Sequence, residues 1–283
     1  MIFKLFKKVA YPFRGRHLNR FKIVRTALNL TLRLIKPPYV IVDKNRMFLD
    51  KDDSMRLSIV GVYEPTTVKL LQKKVKKGDT VIDIGAHIGY YTLLAARRVG
   101  NKGKVYAFEP NKDNQRLLIK NLTANGYKNV EIIDKAVAEK PSKAKLFLSD
   151  VSTGMHSLIN IDDSKESTIV DITSIDDFFG KKVPKVSVIK MDIEGGEYAA
   201  TKGMRKLVKK NKNITLFTEF SPFVIKKSGK SPIGFLNLLK KYGFELYSVD
   251  EMNGEVRLIN PKKFVKNFPF DRDWHINLMA IKK

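Results

Sequence analysis

The chain has 283 residues, 43% of them hydrophobic, which supplies a packed core for one large or two small domains and excludes general disorder. It holds no cysteine, so disulfides, thiolate zinc sites and a cysteine nucleophile are excluded, and any metal must be held by oxygen or imidazole. The 54 Lys and Arg against 29 Asp and Glu give a net charge of +25, and no apolar run reaches the roughly 18 residues a membrane-spanning helix needs.

Residues 1–36 carry ten basic residues and no acid, so this segment alone contributes +10 of the +25. Phe3, Phe6, Phe13, Phe21, Leu28 and Leu32 are interleaved with the charges, and Pro12 interrupts any continuous helix. A basic amphipathic arm of this kind can lie on an anionic membrane surface, hold a polyanion, or pack on its own domain with a solvated basic face. The arm lacks a clean apolar stretch followed by a small-residue cleavage site, so a cytoplasmic protein, peripheral to the membrane through residues 1–36, is expected. Pro37-Pro38 marks the expected boundary between an arm over 1–38 and a body over 39–283.

The body begins with short extended segments at Tyr39–Asp43, Met47–Asp50 and Ser58–Tyr63, and Glu64-Pro65 opens a helix that ends near Lys77-Gly78-Asp79. From Thr80 the pattern alternates: strand Val81–Ile84, helix Gly89–Val99, strand Val105–Phe108, helix Asp113–Asn125, strand Val130–Ile133. Strand-like Ala144–Leu148 and Thr168–Ile172, flanking a polar loop from Ser149 to Lys165, interrupt it. Strand Val186–Met191, a helix over Gly196–Lys209 and strand Ile214–Thr218 resume it, and Phe235–Tyr242 is a further helix. Phe244–Val249 and Ile276–Ile281 are closing strands. Strands alternating with helices predict an α/β fold, a doubly wound and mostly parallel sheet covered on both faces, with small β additions.

Ligands of such sheets bind at the carboxyl ends of the strands, where strand order reverses. Val81–Ile84 runs into the turn Gly85-Ala86-His87-Ile88-Gly89, where small residues let backbone amides approach a ligand and Asp83 can fix the turn or hold an ammonium group. His87 stands where a dinucleotide fingerprint requires its next glycine, which weakens a nicotinamide or flavin reading. Glu109 ends the following strand, where an acid can accept hydrogen bonds from both hydroxyls of a ribose.

The segments Asp83-Ile84-Gly85-Ala86-His87-Ile88-Gly89-Tyr90, Ala107-Phe108-Glu109-Pro110 and Ile189-Lys190-Met191-Asp192-Ile193-Glu194-Gly195-Gly196-Glu197 resemble the FkbM family of methyltransferases. Ala136-Val137, His156-Ser157-Leu158 and Ser174-Ile175-Asp176-Asp177 fit its connecting pattern, while Gly196 stands where the family usually has alanine. The resemblance implies a Rossmann-like fold that uses S-adenosylmethionine to methylate a hydroxyl or carboxyl of a sugar, glycan or other small acceptor. It implies that Asp83, Gly85 and Gly89 line the amino acid end of the cofactor, that Ala86 and His87 belong to the same cofactor-binding turn, with His87 shaping it, that Glu109 holds the ribose, and that Asp134 and Ala136 lie near the adenine.

Methyl transfer to oxygen needs a positioned acceptor and a group that takes or acidifies its proton. Asp192 and Glu219 end neighbouring strands and can aim two carboxylates at one point, an arrangement that also suits Mg2+, with Glu194 or Glu197 as a further ligand or as helix N-terminal charge. His156 is the metal-free candidate base. A nucleic-acid methyltransferase is the leading alternative, motivated by +25. Asp192-Ile193-Glu194-Gly195 argues against it, because enzymes that methylate base amines usually carry an Asp or Asn, two prolines and an aromatic there. A non-catalytic membrane-peripheral binding protein is the third reading.

Overall fold

The computed structural model of the chain describes residues 30–31, 34–149, 152–161, 163–271 and 274–282. The basic arm expected over 1–38 lies for the most part outside the described residues.

Eight strands form the central sheet: β3 (Thr80–Ile84), β4 (Lys104–Phe108), β5 (Val130–Ile133), β9 (Val188–Met191), β10 (Ile214–Phe220), β11 (Phe244–Val249), β12 (Val256–Leu258) and β13 (Ile276–Lys282). Their spatial order is β12-β11-β13-β10-β9-β3-β4-β5. The pairs β10/β9, β9/β3, β3/β4 and β4/β5 are parallel, whereas β13 runs antiparallel between β10 and β11. Chain order reverses beside β3, whose register sets Ile84 opposite both Phe108 and Met191. The α/β, mostly parallel, doubly wound fold expected from the alternation is therefore present, and its switch point lies at the ends of β3, β4 and β9.

Both faces are buried, as a parallel sheet requires. Val81, Val105, Val188 and Phe217 join one apolar cluster, and Ile82, Ile84, Ile189, Met191 and Leu216 join the other. Side chains alternate along a strand, so Asp83, Lys190 and Glu219 share the face of Val81, Val188 and Phe217. Two of these are ionisable groups inside the core: Asp83 is 2% exposed and Lys190 is 1% exposed.

A hairpin of β1 (Tyr39–Val42) and β2 (Asn45–Phe48) precedes the sheet. A smaller sheet of β6 (Ala136–Val137), β7 (Ser142–Phe147) and β8 (Ser167–Thr173), ordered β6-β8-β7, forms the interruption seen in the sequence.

Three expectations need correction. Ser58–Tyr63 is not extended: Leu57–Val60 is a short helix, because the buried Asp53 carboxylate accepts the Leu57 and Ser58 amides and closes a turn there. The helix over Gly196–Lys209 is two helices, Glu197–Lys202 and Arg205–Lys210. Gly203 lies at the break, packed so closely on the Ala138 carbonyl that a Cβ would sit 2.2 Å from its oxygen. Helices Ile175–Phe179, Pro222–Lys227 and Pro261–Asn267, with β12, add to the expected set; each of the three helices begins behind a Ser or Asn cap.

Candidate active site

The turn after β3 is shaped by close approach. Gly85 has φ +83° and a Cβ built on it would lie 1.9 Å from the Asp192 carbonyl oxygen, so only glycine lets the ends of β3 and β9 meet here. His87 adopts the left-handed conformation at φ 52°, and Gly89, at φ 95°, opens the helix Tyr90–Val99. The Gly85 and Ala86 amides donate to the Phe108 carbonyl at 3.0 and 2.9 Å, and the His87 amide donates to Glu109 Oε2 at 2.8 Å. These amides lock β3 to β4 and fix the acid that ends β4.

Glu109 is 5% exposed. Its Oε1 accepts from the Asn111 amide at 2.9 Å and from Asn114 Nδ2 at 3.4 Å, and burial pushes its carboxyl up to about 7. Asp83 accepts from the Thr92 hydroxyl, with burial pushing it up to about 6.

Gly85, His87, Glu109, Ala136, His156 and Asp192 line a single cavity. Six of the positions expected at a ligand site thus converge, whereas Asp83, Ala86, Gly89, Asp134 and Glu219 are not among its lining residues. Asp134 is engaged elsewhere, accepting from Lys112 Nζ and Gln115 Nε2. The far wall comes from the loop between β7 and β8, which forms a 3₁₀ turn over Thr153–Met155. Thr153 Oγ1 lies 2.9 Å from His87 Nε2, its carbonyl accepts from Asn114 Nδ2 at 3.1 Å, and Ser157 donates to the Glu194 carbonyl at 2.7 Å. Thr153 and Asn114 escaped the sequence reading because neither belongs to a spaced motif. Burial holds His87 down to about 4, leaving a neutral imidazole to shape this wall.

His156 lies in the same wall, but its Nδ1 accepts the Ser149 amide at 3.1 Å. A neutral ring in that arrangement carries its proton on Nε2 and has no free lone pair to act as a base.

Beside the cavity lies a cluster of partly buried carboxylates around the buried Lys190. One oxygen each of Asp192, Glu194 and Glu219 lies within 4.8 Å of the others. Glu194 sits at φ 50° in the turn after β9. Lys190 Nζ is 3.0 Å from Asp192 Oδ2 and 4.8 Å from the centre of the Tyr91 ring. Burial opposes the charge on Lys190, but Asp192 and Glu64 outweigh it and raise the ammonium above its ordinary value. Burial likewise opposes charge on Asp192, yet Lys190 holds that carboxyl below the usual range. Burial pushes Glu219 up to about 7, and burial with the nearby Glu219 and Asp192 raises Glu194 well above the carboxylate range. Glu197 is 3% exposed, accepts the Ile193 amide at 3.2 Å and is pushed up to about 7 by burial, so it ties the turn together at the start of its helix.

Two contributors were not foreseen. Glu64, at φ 47° before helix Pro65–Lys74, accepts from the Tyr91 hydroxyl and is raised by burial. His275 immediately precedes β13, whose register sets Asn277 opposite Glu219, and its imidazole is raised chiefly by Glu219. Both lie far in sequence from the residues they face, so no local spacing announces them.

The model of the family described as Methyltransferase FkbM domain matches residues 83–246, more than half of the chain. The hexuronic acid methyltransferase AglP of Haloferax volcanii is 26% identical over 142 residues, covering 50% of this chain and 56% of that protein. The ribosomal RNA large subunit methyltransferase E of Methanobrevibacter smithii is 27% identical over 143 residues, covering 46% of this chain and 64% of that protein. The chain therefore spans less than two thirds of the length of these relatives. The solved methyltransferase FkbM of Methylobacillus flagellatus is 15% identical, with a TM-score of 0.45, covering 91% of this chain and 59% of that one.

Proposed function

Since the chain belongs to the FkbM methyltransferase family, we propose that it uses S-adenosylmethionine to methylate a hydroxyl group of a sugar or glycan. One observation carries this reading: Asp192 both lines the cavity and belongs to the carboxylate cluster, so an acceptor held at the cluster lies beside a methyl donor held in the cavity.

The cavity fits the cofactor. Glu109 offers a buried carboxylate where a ribose diol can donate to it. Gly85, His87, Glu109 and Ala136 would hold the cofactor, with Asp83 and Gly89 setting the turn. When bound, S-adenosylmethionine supplies an electrophilic methyl group on a sulfonium.

Glu219 is the proposed base. Its carboxyl, pushed up to about 7, can take the acceptor proton near neutral pH, and Asp192, kept ionised by Lys190, can accept a hydrogen bond that orients the hydroxyl. A crowd of carboxylates repels an anionic acceptor, which favours a hydroxyl over a carboxylate as the methylated group. The second reading assigns Mg2+ to Asp192, Glu194 and Glu219, whose oxygens approach closely enough to share one cation.

A polynucleotide acceptor is the alternative supported by the charge of +25 and by similarity to a ribosomal RNA methyltransferase. It requires binding that weakens steeply with salt. The basic segment 1–36 is read as a contact to an anionic membrane surface, supported by ten basic residues without an acid. Among the described residues no helix is long and apolar enough to cross a membrane.

The deciding experiment titrates S-adenosylhomocysteine into wild type and Glu109→Ala by calorimetry, with and without Mg2+, and then follows radiolabelled methyl transfer to sugars and to RNA. Cofactor binding lost in the variant, with label entering sugars and with Glu219→Gln slowing transfer at saturating acceptor, supports the proposal. Label entering only RNA overturns it.

A further inference from the structure

The loop between β7 and β8 is fastened at two points that belong to different halves of the site. Thr153 meets the cofactor side: its Oγ1 lies 2.9 Å from His87 Nε2, and its carbonyl accepts at 3.1 Å from Asn114 Nδ2, which also donates to Glu109. Further along the loop, the Ser157 hydroxyl donates to the Glu194 carbonyl at 2.7 Å. Thr153 and Ser157 both line the cavity, as do Asp192 and Ile193 at the end of β9.

Ser157 is well placed to hold that carbonyl. It is 3% exposed, and its amide and carbonyl pair with Phe147 at 3.2 and 2.8 Å, which fixes its backbone to the smaller sheet. Its Oγ accepts the Ile159 amide at 3.0 Å, leaving the hydroxyl proton for Glu194.

The turn at Glu194 needs such a partner. Glu194 sits at φ 50°, a left-handed conformation disfavoured for any residue with a Cβ. Gly195 follows at φ +98°, where a Cβ would lie 2.6 Å from Val224 Cγ1 and 2.9 Å from Ile159 Cδ1. The position demands glycine, and the freedom of glycine lets the Glu194–Gly195 peptide plane turn over unless its carbonyl is held. Turning that peptide would displace Glu194, whose carboxylate lies in the cluster with Asp192 and Glu219.

We propose that Ser157 is a positioning residue for the acceptor side of the site, and that its loop is a strap joining the two halves. By holding the Glu194 carbonyl, Ser157 sets the carboxylate cluster. Because the same loop is tied through Thr153 to His87 and Asn114, an occupied cofactor cavity steadies the Glu194 turn before an acceptor arrives. The consequence is a binding order, cofactor first and acceptor second. This inference rests on the cofactor and acceptor reading above.

Backbone hydrogen exchange, followed by mass spectrometry on the full chain with and without saturating S-adenosylhomocysteine, reads the coupling without an acceptor. In wild type, exchange is expected to slow about tenfold in 192–197, together with slowing in 85–89. Ser157→Ala should keep the slowing in 85–89 and lose about fivefold of it in 192–197, whereas Ser157→Thr, which keeps the hydroxyl, should retain most of it. Thr153→Val, which loosens the strap at its other end, should reduce the slowing in 192–197 by at least about twofold. Slowing in 192–197 that survives undiminished in Ser157→Ala means that the ligand protects the turn by direct contact, and it overturns the proposal. Slowing confined to 85–89 in wild type, or equal loss in both segments in Ser157→Ala, also overturns it. Should Ser157→Ala fail to fold, Thr153→Val carries the test, with unchanged slowing in 192–197 as the overturning result. All of these outcomes leave the methyltransferase assignment standing, whereas failure to bind S-adenosylhomocysteine would overturn the proposed function together with this inference.

Discussion

Lys190 and Asp192, two residues apart at the end of β9, form an ion pair of 3.0 Å in which the lysine side chain is 1% exposed and the aspartate 27% exposed. The site thus carries an internal cation. Strand alternation turns Lys190 toward the face that also holds Asp83 and Glu219, and the Tyr91 ring lies against its ammonium.

Removing that cation leaves partly buried carboxylates without their counter-charge. Lys190→Met is expected to cost about 3 kcal/mol of stability in urea unfolding at neutral pH, the lower end for a broken buried pair, because Asp192 keeps 27% of its surface exposed. Lys190→Met combined with Asp192→Asn is expected to recover a substantial part of the loss. A single variant costing under about 1 kcal/mol would show that Asp192 finds its stabilisation elsewhere.

Glu109, proposed to hold the cofactor ribose, is expected to make cofactor binding depend on pH. Its folded value of about 7 lies above the ordinary 4.5, so its contribution to stability is full below the ordinary value and is lost as pH rises through 7. A ribose diol donates to the ionised form, so binding works in the opposite sense. Affinity for S-adenosylhomocysteine is expected to rise by up to about tenfold per unit as pH approaches 7 from below and to level off above it. Calorimetry from pH 5.5 to pH 8, on the order of four steps, checks this; Glu109→Gln should bind weakly at every pH. A flat wild-type profile would mean that Glu109 does not hold the ribose.

Two glycines with nearly the same backbone angle separate strain from crowding. Gly61 at φ +80° has nothing within 4 Å of a built Cβ, whereas at Gly85 the Asp192 oxygen lies 1.9 Å away. Gly61→Ala should cost about 1–2 kcal/mol from the left-handed backbone alone. Gly85→Ala should cost at least about 2 kcal/mol more and should lose cofactor binding, because the ends of β3 and β9 must part. Equal melting shifts for the two would refute the close approach.

Glu251 fastens the late part of the chain to an early helix. Its carboxylate accepts the Thr66 and Thr67 amides at 2.8 and 3.0 Å at the start of helix Pro65–Lys74, which follows Glu64. Glu251→Ala is expected to lose about 1–3 kcal/mol of stability by leaving those amides without their acceptor. Because Glu64 is positioned by the same turn, the variant should also slow methyl transfer more than it weakens cofactor binding. Unchanged thermal unfolding would remove this role.

The sequence by itself determined the elements whose pattern is local. The alternation from Val81 to Ile133 and the resumption at Val186 were readable because strands buried on both faces need apolar runs, and each helix between them needs its own periodicity. The turn Gly85-Ala86-His87-Ile88-Gly89 and the acid Glu109 were readable for the same reason, since a tight turn and a strand-end acid are local requirements. Local spacing was silent about groups that meet only when the sheet closes. Glu64 reaches Tyr91 across the turn, and the antiparallel entry of β13 brings His275 toward Glu219 from more than fifty residues downstream. It also misread Ser58–Tyr63, where β-branched and aromatic residues favour a strand but the Asp53 carboxylate closes a helical turn. Above all, Lys190 reads in sequence as an ordinary basic residue among 54, and only its burial between Asp192 and Glu64 makes it a fixed charge. Solvent screens a charge at the surface, whereas the folded interior cannot, so tertiary structure decided which charges act on one another.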